Sequence, residues 1–193
     1  MLASITPLGE RGRRSNWWVT VTAFLIGATV AAAGAGAALG ALGALGSVVL
    51  PSHEGIAVLL AAIGVAIVLD GLPVAVPGPR RQVDERWLDR YRGWVYGAGY
   101  GAQLGVGVTT IVSSAATYVA LLAAFLTASA PAGAIVLGCF GLVRGLTPLA
   151  AAGVRSQRQL FDFHRAVGRW RPAVRWGAVA AQVAMLVAAL ALS

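Results

Sequence analysis

The sequence predicts an all-α, polytopic helical membrane protein of about five spans, with two weak internal repeats and amphipathic interfacial helices. Three observations carry that reading. First, 58% of the 193 residues are hydrophobic and only 11% are charged, and the mean hydropathy is +0.77. Several apolar runs exceed the roughly 20 residues that cross a bilayer. Second, all of the cationic side chains are Arg, and most lie in three clusters between apolar runs. That is the pattern of loops retained on the cytoplasmic side. Third, one constant offset aligns Gly64 with Gly138, Gly71 with Gly145 and Leu72 with Leu146. The same offset places Asp70 opposite Arg144, so the aligned positions carry opposite charges inside apolar segments.

A formal charge of +8 and a pI near 11.2 would point to nucleic acid in a soluble chain. Here the arginines flank apolar runs, so no nucleic-acid partner is expected. The partners expected are the lipid bilayer, anionic lipid at the basic segments, and a membrane protein partner or a second copy of the chain. The absence of Lys beside abundant Ala, Gly, Val and Arg points to a high-GC bacterial genome. The location expected is the bacterial cytoplasmic membrane, with the N-terminus inside.

In chain order, residues 1–16 read as a short polar leader carrying Arg11, Arg13 and Arg14. The apolar stretch Trp17–Leu50 starts like a signal peptide, with Ala31-Ala32-Ala33 resembling a cleavage site. It reads better as an uncleaved first span, because no polar mature start follows. Pro51-Ser52-His53-Glu54 is a turn. The next span runs from Gly55 to about Leu72 and is ended by Pro73, Pro77 and Pro79. Residues 80–92 form a basic segment in which Val83, Trp87 and Tyr91 recur every four residues. That spacing predicts an amphipathic helix at headgroup level.

A second long stretch covers Trp94–Ser129, and Pro131 opens a span ending near Gly153. Residues 155–175 form another basic segment. Ser156 and Gln159 fit a capping box, and Leu160, Phe163, Val167 and Trp170 mark one apolar face. The final span covers about 173–192. The whole chain is expected to form a single transmembrane domain, with repeat 1 at about 17–92 and repeat 2 at about 94–175. Both long stretches exceed one ordinary crossing, which predicts a tilted, extended or broken helix in each. If either crosses twice, the total becomes six or seven.

Candidate site residues lie inside the spans. Gly97, Gly101 and Gly105 recur every four residues, with Gly34, Gly36 and Gly40 as a weaker counterpart. Such stripes let helix backbones approach closely, or form a thin wall beside a substrate path. Downstream come Gln103, Thr109, Thr110, Ser113, Ser114, Thr117 and Tyr118. Their hydroxyls can bond to the carbonyls of their own helix, or the set can form a polar, hydrated face that coordinates a small ion or solute. Asp70 and Arg144 lie at depths about 3 Å apart, counted along their spans. Three roles stand for them: an ion pair, separate snorkelling to the interface, or direct contact with a substrate. Pro148 frees the Arg144 carbonyl and predicts a local break. Trp17, Trp18, Trp94, Tyr96, Trp170 and Trp176 sit at apolar–basic boundaries and read as interfacial anchors.

No enzyme, cofactor or metal is expected, and no catalytic residue is assigned. The chain carries no Ser-His-Asp set, paired carboxylates, P-loop or HExxH. Cys139 is the only cysteine, which excludes an intrachain disulfide, and an apolar-flanked Cys reads as a small core residue. His53 and His164 fall on opposite sides of the five-span topology.

Gly99-Tyr100-Gly101-Ala102-Gln103-Leu104-Gly105-Val106-Gly107 is a Gly-rich helix start after a basic loop. With the two-repeat build and small size, it resembles the CcdA/DsbD membrane family and the wider LysE-type transporter group. The resemblance covers the span pattern of most of the chain and implies a small helical membrane carrier. Those families use six spans in inverted repeats, whereas the charge pattern here favours five. The CcdA/DsbD proteins work through paired membrane cysteines on the first helices of their repeats. Neither long stretch here contains one, so thiol electron transfer by that route is excluded. The function expected is a permease for a small solute or ion, or a subunit of one. The alternative is a non-transporting accessory subunit that holds a partner in a membrane assembly.

Overall fold

The computed structural model describes residues 5–46, 49–50, 52–72, 76–79, 86–109, 112 and 114–192, and among these every regular element is helical. Four helical segments are long and apolar enough to cross a membrane: Trp17–Gly43, His53–Gly71, Ala130–Ala151 and Gln157–Leu190. A further stretch beside the first of these is made of two shorter helices laid end to end.

The chain opens with α1 (Pro7–Gly12), which Thr6 caps by accepting from the Gly9 amide. Pro7 stands at the first position, where its missing N–H costs nothing. The expected leader is thus partly folded, and Ile5, Thr6 and Glu10 are buried. The axis of the bundle is α2 (Trp17–Gly43), a helix of 27 residues capped by Asn16. At 1.5 Å per residue it is about 40 Å long, more than the roughly 30 Å hydrocarbon core. The first long stretch is therefore one extended helix, long and apolar enough to cross a membrane once. Its glycines do not loosen it. Gly36, Gly40 and Gly43 instead face other backbones, and only Gly34 looks onto open space.

Close approach fixes how α5 (Gly93–Val106) and α7 (Ala130–Gly145) lie on α2. A Cβ on Gly97 would sit 2.5 Å from the Thr20 carbonyl oxygen. One on Gly101 would overlap the Phe24 oxygen, and one on Gly105 that of Ala28. Residue numbers rise together in these contacts, so α5 runs parallel to α2. The expected glycine stripe is a backbone-to-backbone seam. On α7 the order reverses: Gly133 meets Gly36, Gly141 meets Ala32 and Ala28, and Gly145 meets Leu25. That helix is antiparallel to α2. It ends in a 3₁₀ turn, Thr147–Ala151.

The second long stretch is a broken helix. After α5 the chain turns at Gly107, whose φ of 84° is open to glycine and strained for other residues. It then resumes as α6 (Ala116–Leu126). Gly105 meets Ala28 while Phe125 meets Gly43, so α6 continues along α2 in the direction of α5.

Two further helices complete the bundle on the far side of α6. The first, α3 (His53–Gly71), is capped by Ser52, whose hydroxyl accepts from the Gly55 amide. It packs Ile63 and Ala66 against Ala115 and Val119 of the α6 region. The second, α8 (Gln157–Leu192), is one helix of 36 residues that continues through Pro172. Leu186 packs beside the same cluster. The expected capping box is formed: Gln159 Oε1 accepts from the Ser156 amide at 3.1 Å, and Ser156 Oγ accepts from the Gln159 amide at 3.3 Å.

The basic segments differ from the expected interfacial helices. Residues 157–175 belong to α8 itself, not to a separate helix lying in the membrane plane. Of residues 80–92, positions 80–85, including Val83, lie outside the described residues. The remainder contains the single turn α4 (Trp87–Arg90). Trp87 points inward as expected and stacks on Tyr100, with centroids 6.0 Å apart; Tyr91 is exposed. The N-terminal, α4–α5 and post-α7 segments meet at one end of the bundle, where Leu8 N donates to Val154 O at 3.1 Å.

Two anchors are also reassigned. Trp17 and Tyr96 are buried with Phe24 and Tyr100, while Trp18, Trp94, Trp170 and Trp176 are exposed as belt residues should be. Cys139 is exposed on α7, not in the core. A test of the seam follows from these contacts. Gly101→Ala should lower thermal stability in detergent by about 1–3 kcal/mol, the usual cost of overpacking. Gly34→Ala, which meets nothing within 4 Å, should stay within about 0.5 kcal/mol of the parent. Equal effects would show that the seam does not hold the helices together.

Candidate functional site at the broken helix

A helix that starts inside an apolar layer leaves its first amides without partners. The start of α6 satisfies them one by one. The Ala115 amide donates to Asp70 Oδ1 at 2.8 Å. The Ala116 amide donates to Ser114 Oγ at 3.2 Å, and the Thr117 and Tyr118 amides donate to the Ser114 and Ala115 carbonyls. At the other side of the break, the Thr109 hydroxyl donates to the Gln103 carbonyl near the end of α5.

Asp70 is therefore a capping carboxylate supplied by another helix. It is buried and accepts two further hydrogen bonds on Oδ2, from Ser114 Oγ at 2.6 Å and Gln182 Nε2 at 2.7 Å. A negative charge at a helix N-terminus also meets the positive end of the helix dipole. Arg175 of α8 donates to the carbonyls of Asp70 and Gly71 at 2.7 and 2.6 Å. It thereby caps the C-terminus of α3 and brings a positive charge to the same neighbourhood. The Gln182 amide oxygen is buried and has no hydrogen-bond partner among the described residues.

The expected Asp70–Arg144 ion pair is not formed. The first turn of α6 takes both residues, but separately. Arg144 Nη1 donates to Thr117 Oγ1 at 3.4 Å, and its guanidinium lies over the Phe140 ring, 5.4 Å from the centroid. The physical reason is placement: α3 packs on α8 and α6, and α7 on α2, α5 and α6, so the two helices share α6 without packing closely on one another. Similar depth was a sound expectation, since both charges reach the start of α6; direct contact was not. Thr147 Oγ1 donates to the Arg144 carbonyl at 2.8 Å, so the carbonyl that Pro148 frees is satisfied where α7 ends.

The expected polar helix face is also redrawn. Thr110 and Ser113 lie outside the described residues. Thr109 and Ser114 serve the two ends of the break, and Thr117 is buried and meets Arg144. Tyr118 donates to the Pro77 carbonyl, and Gln103 is half-buried on α5. The helical spacing that linked Gln103 to Thr110 does not apply, because the chain turns at Gly107 between them.

Sequence reasoning missed a second polar centre at the Arg-rich end. Glu10 is fully buried. It accepts from Arg13 Nη2 at 2.8 Å, from Thr20 Oγ1 at 2.9 Å, and from Tyr96 Oη at 2.6 Å to either oxygen. Burial opposes the Arg13 charge, but hydrogen bonds with Glu10 and Tyr96 outweigh it and raise the Arg13 pKa. The cluster staples α1 to α2 and α5. The only local signal was Thr6-Pro7, a helix start; the Tyr96 partner is 86 residues away. Among the described residues no group of His, Cys, Asp and Glu is arranged to hold a metal.

Two stability outcomes are expected. Asp70→Leu should cost about 3 kcal/mol or more, because a buried amide and two side-chain donors lose their acceptor. Combined with Arg144→Leu, the two effects should add within about 0.5 kcal/mol, measured by unfolding in detergent; strong coupling would restore the direct pair. Glu10→Leu should cost about 3–5 kcal/mol, the range for breaking a buried charge pair.

Comparison of the chain with protein-family models, with curated proteins and with solved structures finds no match.

Proposed function

We propose that the protein is a permease for a small solute or ion, or one subunit of such a permease, and not an enzyme. Its setting in this proposal is a bacterial cytoplasmic membrane, with the N-terminus and the Arg-rich end facing the cytoplasm. The observation that carries the reading is the interrupted crossing, with Asp70 at the start of its second half. Secondary transporters build binding sites from discontinuous helices near mid-membrane. Irregular backbone at that depth is tolerated where it is buried in protein or lines a watery cavity. Asp70 lies beside the Gln182 amide oxygen, which has no partner among the described residues. That oxygen-rich corner suits a proton or a small cation. A hydrogen-bonded, buried ionisable residue within a span is a mark of ion and proton pathways.

A second reading has its own observation. Residues 157–174 of α8 carry exposed apolar side chains, with Trp170 at 66% and Val174 at 67%. A helix face of this kind suits a partner subunit, as an accessory protein of a membrane assembly would need.

Liposomes reconstituted with the purified protein and loaded with a pH-sensitive dye separate the two. Imposed Na⁺, K⁺ or proton gradients should produce a flux above that of protein-free liposomes. Asp70→Asn, which keeps an acceptor for the Ala115 amide, should abolish the flux while the protein remains folded. Flux that persists in Asp70→Asn would remove Asp70 from the pathway. No flux with any ion, together with a stoichiometric co-purifying membrane protein, would favour the accessory role.

A further inference from the structure

The Arg-rich end contains a cavity of about 700 Å³ that neither the helix break nor the Asp70 centre uses. It lies between the end of α1 and the starts of α2 and α5. Arg13, Arg14, Arg90 and Arg92 line it, with Ser15 and Trp94. We propose that this cavity binds the phosphoryl group of an anionic ligand, and that the ligand is an anionic phospholipid or a soluble phosphate ester.

Four features support it. Arg13 is committed to Glu10, but Arg14, Arg90 and Arg92 have no carboxylate partner among the described residues. Guanidinium groups match phosphate oxygens in pairs, through planar, forked donors. Second, α2 and α5 run parallel, so the positive ends of both dipoles lie at this end, and Asn16, Gly93 and Trp94 bring both helix starts into the lining. Arg92, at the cap of α5, makes no side-chain capping bond; the Val95 and Tyr96 amides donate to its carbonyl, and an anion there would meet those of Gly93 and Trp94. Third, Arg14 has a φ of 54°. Such a conformation is uncommon for a residue with a side chain, and strained backbone of this kind clusters at ligand-binding sites. Fourth, the buried Glu10 cluster fixes the floor. Thr20 and Tyr96 line the cavity and hydrogen-bond to Glu10, so the site is held in shape without a ligand. Trp94 lines the cavity and is exposed, as is Trp18 in the first turn of α2, and exposed aromatics of this kind mark the level of lipid headgroups.

The test uses the full-length protein in an uncharged detergent, with binding followed by calorimetry. The probes are dihexanoyl phosphatidylglycerol, glycerol phosphate, inorganic phosphate and, as a phosphate-free control, dihexanoylglycerol. The variants are Arg90→Ala/Arg92→Ala, both at exposed positions, and a control that removes equal charge from α8, Arg158→Ala/Arg169→Ala. The cavity variant should weaken phosphate-bearing probes by roughly tenfold or more, and the α8 variant should leave them about unchanged. Tight binding of the lipid with weak displacement by inorganic phosphate identifies a headgroup site. Equal affinity for glycerol phosphate identifies a soluble ester. Equal loss in both variants, binding of dihexanoylglycerol as tight as that of the phosphatidylglycerol, or no saturable binding of any phosphate would overturn the proposal.

Discussion

An interrupted helix inside an apolar layer must account for every amide and carbonyl that the interruption releases. Much of this molecule follows from how that requirement is met between α5 and α6. Thr109 takes a carbonyl at one side, and Ser114 and Asp70 take amides at the other. Asp70 is then a buried carboxylate with its own demands, which Ser114 and Gln182 meet. Gln182 fixes α8 against α3, and Arg175, two turns earlier on α8, covers the last carbonyls of α3. The position of the last helix is thus set by a chain of hydrogen bonds that starts at the break.

The break itself needs a rigid wall. That wall is α2, whose carbonyls touch the glycines of α5 on one side and whose glycines touch α7 on the other. Lipid offers little hydrophobic drive for helix association, so close backbone packing carries more of the load than it does in water. With α5 and α7 held this closely, Gly107 can turn the chain beside Phe140 and Thr117 while the two halves stay aligned along α2.

The parts of this arrangement legible in the sequence were those with a short period or a local signature. The stripe Gly97, Gly101, Gly105 repeats every four residues, and it is a seam. Ser156 and Gln159 form their capping box, and Trp94–Ser129, whose excess length suggests a tilted, extended or broken helix, is broken at Gly107. What escaped was non-local. Ser114 and Gln182 lie 44 and 112 residues from Asp70, and no periodicity links them. The offset that paired Asp70 with Arg144 reported similar depth, but depth along a helix says nothing about which neighbour it packs on. Tyr96 looked like a belt aromatic because it follows a basic loop, whereas its hydroxyl is turned inward to Glu10. The extent of α8 was obscured for a related reason. The change from basic to apolar composition near residue 173 read as a boundary, yet the backbone crosses it, Pro172 included, as one helix.

The distance in sequence between Asp70 and Gln182 has a consequence for how the protein is made. Gln182 leaves the ribosome 112 residues after Asp70, a lag of roughly ten seconds at ordinary translation speeds. Through that interval the nascent chain holds an acidic side chain whose set of donors is incomplete. Water or the insertion machinery must solvate the carboxylate until α8 arrives. Docking of α8 therefore marks the moment when Asp70 becomes fully paired; a chain stalled before residue 182 leaves that carboxylate with only Ser114 and the Ala115 amide as donors.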